Sequence, residues 1–137
     1  MNIVIDTNIF ISALIKQDGL AREIIINSGE NFLFPEYEFQ EVYKYKEEIS
    51  KKSGYSDIEF IQAISLLLNN MRIVKYEEIR DYYNESVEIM SKIDSKDIIF
   101  IATAFALNAI IWSDDAHFKM QNRIKCLTTK EMKTFLI

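Results

Sequence analysis

Two short apolar runs that each stop at aspartate constrain this chain more than any other feature. Ile3-Val4-Ile5 runs into Asp6, and Ile110-Ile111-Trp112 runs into Ser113-Asp114-Asp115. Short β-branched and aromatic runs without polar alternation suit strands buried on both faces, the pattern of a parallel sheet. Such strands need helices over both faces, and the sequence between the two runs supplies amphipathic segments of helical length. In open parallel sheets, ligands bind beyond the carboxyl ends of the strands, which is where these aspartates fall.

The intervening segments fill in the alternation. Residues 9–15 and 20–27 read as helices, with Gly29 past the second. Residues 31–34 form a strand, and Pro35 opens a long polar helix with a buried stripe of Phe39, Val42, Tyr45 and Ile49. Ser53-Gly54 ends it. Residues 56–70 form a helix with Ile58, Ile61, Ile64, Leu67 and Leu68 inward, and residues 72–74 a short strand. An acidic helix over 77–91 turns Ile79, Tyr82 or Tyr83, Val87 and Met90 inward. An apolar helix follows over 96–107, with Asn108 as its C-cap. Strands over 109–112 and 124–127 precede a last helix, 130–136, capped by Thr128 or Thr129. The expected fold class is α/β, a central, mainly parallel sheet flanked by helices and joined by right-handed crossovers. Its 137 residues are expected to form one domain, 1–137.

Composition narrows the chemistry. With 3 Gly and 1 Pro the chain is neither linker-rich nor collagen-like. One Cys, Cys126, and one His, His117, exclude an intrachain disulfide and zinc sites built from several Cys or His ligands. Cys126 and Trp112, inside apolar strands, read as core residues. The net charge of −5 argues against a protein that wraps nucleic acid in positive charge. The charge is uneven: Lys119, Arg123, Lys125, Lys130 and Lys133 face only Glu131 in the last segment. A local contact with phosphate there is worth testing, although such a stretch is usually a solvated face. The N-terminus has no basic segment followed by a long apolar one, and the apolar run 98–112 is broken by Thr103 and Asn108. A soluble, cytoplasmic protein without a membrane partner is expected.

The carboxylates carry the functional signal. If the two aspartate-ended strands are parallel neighbours, Asp6 and the pair Asp114 and Asp115 converge on one crevice. A third group, Asp94-Ser95-Lys96-Asp97, opens the apolar helix that feeds the second strand. Simple up-down reasoning sets that helix start at the opposite end of the strand, unless the helix runs long or crosses at an angle. Crowded carboxylates repel and resist ionisation, and a divalent cation removes the conflict. Oxygen donors without Cys or several His suit Mg²⁺ or Mn²⁺ and therefore phosphate chemistry. Asp94 and Asp97 also fit a plain helix-capping role, which is preferred for Asp94.

These blocks, in order, resemble the PIN-domain nucleases. Ile3-Val4-Ile5-Asp6-Thr7-Asn8-Ile9-Phe10 is similar to their opening strand, Asp-Thr-Asn and helix. Asp94-Ser95-Lys96-Asp97-Ile98-Ile99-Phe100-Ile101-Ala102-Thr103-Ala104 resembles their third acidic block, and Ile111-Trp112-Ser113-Asp114-Asp115-Ala116-His117-Phe118 their last. Leu127-Thr128-Thr129-Lys130-Glu131 before the final helix fits too. The resemblance spans essentially the whole chain. It implies a PIN-like three-layer sandwich and metal-dependent cleavage of RNA phosphodiesters, with Mg²⁺ or Mn²⁺ as cofactor. It assigns the first, third and fourth acids to Asp6, Asp97 and Asp115. The second is Glu41 or, one turn earlier, Glu38, with Glu41 the better fit. Asp114 and Asp94 are then auxiliary acids, and Thr7, Asn8 and Ser113 polar residues that orient the ligating carboxylates. It further implies an RNA substrate, a small antitoxin protein that masks the site, and a homodimer, as in VapC-like toxins; a free-standing RNA-processing enzyme has the same pattern.

His117 is left outside the catalytic set, as a surface or capping residue. Tyr37, Tyr43 and Tyr45, beside Lys44 and Lys46, either line an RNA path or pack half-buried. Two other readings compete. A catalytically inert PIN-like module would bind RNA or protein without cleavage. A haloacid dehalogenase-like phosphatase is disfavoured because its second aspartate is replaced by Asn8.

Overall fold

The computed structural model describes residues 1–136. Five strands build the sheet: β1 (Asn2–Ile5), β2 (Asn31–Pro35), β3 (Met71–Val74), β4 (Ile110–Trp112) and β5 (Cys126–Leu127). Among the described residues nine α-helices surround it: α1 (Thr7–Ile15), α2 (Leu20–Asn27), α3 (Phe39–Lys44), α4 (Lys46–Ser53), α5 (Asp57–Leu68), α6 (Tyr76–Ile79), α7 (Tyr83–Met90), α8 (Ile98–Ala106) and α9 (Thr129–Leu136). The strand order is β3-β2-β1-β4-β5, and every neighbouring pair is parallel. The expected α/β sandwich is therefore the observed one.

The central strands explain their own position. Ile3, Val4 and Ile5 are fully buried, as are Ile111 and Trp112. Polar alternation would have exposed one face of this sheet to water; its absence requires cover on both. Helix α1 packs on α2 to α5, while α6 and α7 pack on α8, which lies against β1, β2 and β4. Helix α8 is buried from Ile98 to Ala104, which explains why its sequence is apolar all round.

Three helical readings change in detail. The long helix after Pro35 breaks into a 3-10 turn at Glu36–Glu38, then α3 and α4 around Tyr45. Tyr45 is exposed rather than part of the buried stripe, because it is the non-helical residue between α3 and α4. In α5 the inward residues are Phe60, Ala63, Ile64 and Leu67, whereas Ile58 and Ile61 are exposed. The acidic helix likewise divides into α6 and α7 around a 3-10 turn at Arg80–Tyr82. Cys126 and Trp112 lie in the core as expected, and burial pushes the Cys126 thiol up to about 12. Among the described residues no helix is long and apolar enough to cross a membrane.

Candidate active site

The strand order reverses direction at β1. From β1 the chain steps outward to β2 and β3, then returns to add β4 and β5 on the other side. Adjacent loops diverge at such a switch point and leave a crevice beyond the carboxyl ends of the strands. A cleft of about 450 Å³ opens there, lined by Asp6, Glu38, Glu41, Asp94, Asp97 and Asp115 among others.

Asp6 forms its floor. The residue is 4% exposed and caps α1, its Oδ1 accepting from the Ile9 amide at 2.8 Å. Ser113, fully buried at the end of β4, donates its hydroxyl to Asp6 Oδ2 and accepts from the Asp115 amide at 2.9 Å. One hydroxyl thus ties the acid of β1 to the loop that carries Asp115. Burial pushes the Asp6 carboxyl up to about 6; the Ser113 and Ile9 hydrogen bonds oppose this, and the charges of Asp114 and Asp115 add to it.

A second wall comes from the turn after β2. The Phe39 ring meets Phe34 and Phe10 edge-on, and Phe10 stacks on Phe34 at 4.7 Å between centroids. That aromatic cluster fixes the turn against α1. Glu38 is buried in consequence, and its Oε2 accepts from Thr7 Oγ1 at 2.9 Å. Burial raises its carboxyl above the ordinary value, against the Thr7 bond, with repulsion from Glu41 adding to the rise. Glu41 is exposed on the same wall, and Asn8 is exposed beside it. The two glutamates weighed from sequence therefore share the cleft at different depths.

Asp97 enters from α8. The up-down reasoning that set it at the far end of the strand is corrected by the topology. A helix preceding a parallel strand runs antiparallel to it, so its N-terminus lies at the carboxyl ends. Both ends of α8 bear this out: Asp97 reaches the Asp6 cleft, while Leu107 O accepts from the Asn2 side chain at 2.8 Å at the start of β1. Asp97 is 9% exposed and its Oδ2 is buried without a hydrogen-bond partner. Burial pushes its carboxyl up to about 7; repulsion from Asp94, Asp115 and Asp6 reinforces this, and His117 works against it. Asp94 caps the preceding 3-10 turn, its Oδ1 accepting from the Lys96 amide at 3.0 Å.

Asp114 takes a different part. Its carboxylate accepts from the Thr129 amide at 2.7 Å and the Thr129 hydroxyl at 2.8 Å, tying the β4 loop to the start of α9. It does not line the cleft. His117, left out of the site on sequence grounds, does not line the cleft but stands against three of its acids. Its Nδ1 lies 3.2 Å from Asp94 Oδ2, 3.4 Å from Asp115 Oδ1 and 3.9 Å from Asp97 Oδ2. Asp94, Asp97 and His117 each offer a donor atom, and these lie within 4.8 Å of one another. The hint was the spacing: two residues after Asp115, His117 sits in the 3-10 turn Ala116–Met120 that Asp115 caps. Tyr37, Tyr45, Tyr83 and Lys96 complete the rim.

The donor set is mainly oxygen, with one imidazole and no thiolate, and it fits a divalent ion bound through carboxylates. The comparisons with known proteins agree with this fold. No curated protein matches the chain. Among solved structures, the chain is similar to one from the crystal structure of VapBC2 from Rickettsia felis bound to a DNA fragment from their promoter. The TM-score is 0.71 at 18% identity, covering 93% of this chain and 98% of that one. The family model for the PIN domain matches residues 4–137, so the chain belongs to the PIN-domain family.

Proposed function

We propose that the chain is a divalent-metal-dependent endoribonuclease, working in the cytoplasm as one domain and as the toxin of a toxin–antitoxin pair. The observation that carries this reading is the convergence of Asp6, Asp97 and Asp115 with the Glu38–Glu41 wall at the sheet's switch point. Asp6 and Asp97 resist ionisation there, and Asp97 Oδ2 has no hydrogen bond. Carboxylates so placed need a cation to be ionised together.

Asp6, Glu41, Asp97 and Asp115 are the assigned Mg²⁺ or Mn²⁺ ligands. When bound, the ion offsets charge developing on the phosphate and makes water more acidic. Ser113 and the α1 N-terminus hold Asp6 in one orientation. Thr7 holds Glu38, which keeps a second glutamate beside Glu41. Of these two, the residue whose change to Gln removes Mn²⁺ binding is the ligand. Cleavage leaves a 5′-phosphate and a 3′-hydroxyl.

The toxin reading is supported by the likeness of fold to a chain of the VapBC2 complex. Ile58 and Ile61, exposed one turn apart on α5, are an apolar pair that a small antitoxin would cover. The test is cleavage of an end-labelled RNA pool with Mn²⁺, Mg²⁺ or EDTA, beside Asp6→Asn. Metal-dependent cleavage lost in the variant supports the nuclease; RNA binding without cleavage under any metal favours an inert module. Growth arrest on expression, relieved by a co-expressed small neighbouring protein, supports the toxin role.

A further inference from the structure

We propose that His117 Nδ1 is a nitrogen ligand in the same centre, joining Asp94, Asp97 and Asp115 and biasing it towards transition ions over Mg²⁺. The inference rests on the metal-dependent reading of the cleft.

Three carboxylate oxygens surround Nδ1 at 3.2, 3.4 and 3.9 Å. Two donors bound to one ion at about 2.1 Å stand about 3.0 Å apart when adjacent and about 4.2 Å when opposite. The observed spacings fall in that interval. Neither Nδ1 nor Asp97 Oδ2 makes a hydrogen bond, although both atoms are buried. The nitrogen faces the carboxylates with no hydrogen bond of its own, which leaves it open to an ion shared with them.

The neighbouring groups leave this arrangement open. Asp94 spends Oδ1 on the Lys96 amide and turns Oδ2 to His117. The Asp115 carboxylate accepts from the His117 amide at 2.9 Å, which holds residue 117 in place from its own backbone. The Phe100 and Phe118 rings meet edge-on at 6.0 Å, anchoring the turn that carries His117 against α8, which carries Asp97. The imidazole is thus positioned by elements on both sides of the site.

Imidazole is a softer donor than carboxylate. It suits first-row transition ions, whereas Mg²⁺ is served by oxygen ligands and water. Mn²⁺ is served by oxygen donors too, but as a first-row transition ion it also takes imidazole, so one imidazole adds more to its binding than to that of Mg²⁺.

These 137 residues hold one histidine, so an imidazole nitrogen coupled to Mn²⁺ bound by this chain without a tag is that of His117. Pulsed electron paramagnetic resonance of the Mn²⁺-loaded protein should show ¹⁴N coupling that disappears in His117→Ala and His117→Asn. Mn²⁺ affinity in both variants should fall about tenfold or more, the scale of losses seen when a group that tunes a metal centre is removed. Mg²⁺ affinity, read by competition against Mn²⁺, should change by less than about threefold. If Mn²⁺ binds without imidazole coupling and both variants bind it as the parent does, the histidine assignment is overturned and the carboxylate centre stands. If the parent does not bind Mn²⁺ at all, both fall.

Discussion

Asp6 and Asp97 bind protons more tightly in the folded chain than in the unfolded one, and this fixes a sign. Each has an ordinary value of 3.8, raised by burial to about 6 for Asp6 and about 7 for Asp97. Below the ordinary value both states are protonated and the groups contribute no difference. As pH climbs from there through 6 and 7, the unfolded chain ionises first and the fold loses stability. A metal-free protein should therefore melt lower at pH 8 than at pH 5. Asp97→Asn should raise its midpoint at pH 8 by roughly 5 °C, on a scale of a few degrees per kcal/mol. Added Mn²⁺ should stabilise the parent at pH 8 more than at pH 5, because protons compete for the same oxygens. Calorimetry in EDTA and in Mn²⁺ reads all three; an Asn variant that melts lower at pH 8 would contradict the burial argument. Asp114 belongs to a separate class. Losing its two bonds from Thr129 should cost about 1 kcal/mol, as for other helix caps, with Mn²⁺ affinity retained. A loss of Mn²⁺ affinity matching that of Asp115→Asn would return Asp114 to the centre.

Individual elements show what sequence can and cannot specify. The pattern Ile3 to Asp6 and Ile110 to Asp115 was legible because fully buried strands cannot disguise themselves, and an acid at their carboxyl end is placed by topology alone. Asn108, read as the C-cap, stands one residue past it: Leu107 is the cap, and Asn108 takes the left-handed φ of 50° that asparagine adopts readily. The break at Tyr45 was not legible, since the run from Phe39 to Ile49 keeps a helical apolar spacing across it. Nor was the face of α5: Ile58 and Ile61 match the apolar period as well as Phe60 and Ala63 do. Only the aromatic and strand contacts on one side choose between them. His117 was missed for a related reason, because one histidine after a loop carries no period. Its partner acids come from α8 and the β4 loop, which are joined in space rather than in sequence. The end of α4 offers a sharp test at this scale. Gly54 has φ +78°, and a Cβ there would meet nothing within 4 Å. Gly54→Ala should therefore carry only the backbone penalty of the left-handed region, about 1–2 kcal/mol. The denaturation midpoint should fall with an unchanged m-value; a changed m-value would mean that α4 itself had unravelled.

On the proposed ribonuclease reading, the whole molecule brings an RNA backbone to an acidic cleft while carrying a net charge of −5. The basic C-terminal segment offers less help than its composition suggests. Lys119 is paired with Glu131, and Arg123 with Glu85 at 2.8 Å. Lys125 lies over the Phe135 ring at 4.8 Å. Lys96 lines the cleft itself, and Tyr37 and Tyr45 stand on its rim, 63% and 40% exposed. Binding should then come from the ion, a few phosphate contacts and stacking of unpaired bases, each base–aromatic stack contributing about 1–3 kcal/mol. With Ca²⁺ in place of the catalytic ion, single-stranded RNA binding followed by fluorescence anisotropy should weaken at least tenfold in EDTA. The slope of log K against log salt should be no steeper than about −2, since each phosphate neutralised contributes about −0.7. Lys96→Ala should flatten that slope by about 0.7, whereas Tyr37→Ala should lower affinity about tenfold and leave the slope alone. A slope of about −4 or steeper would instead require a broad basic surface, and Lys119 and Arg123 would have to open their ion pairs to provide it.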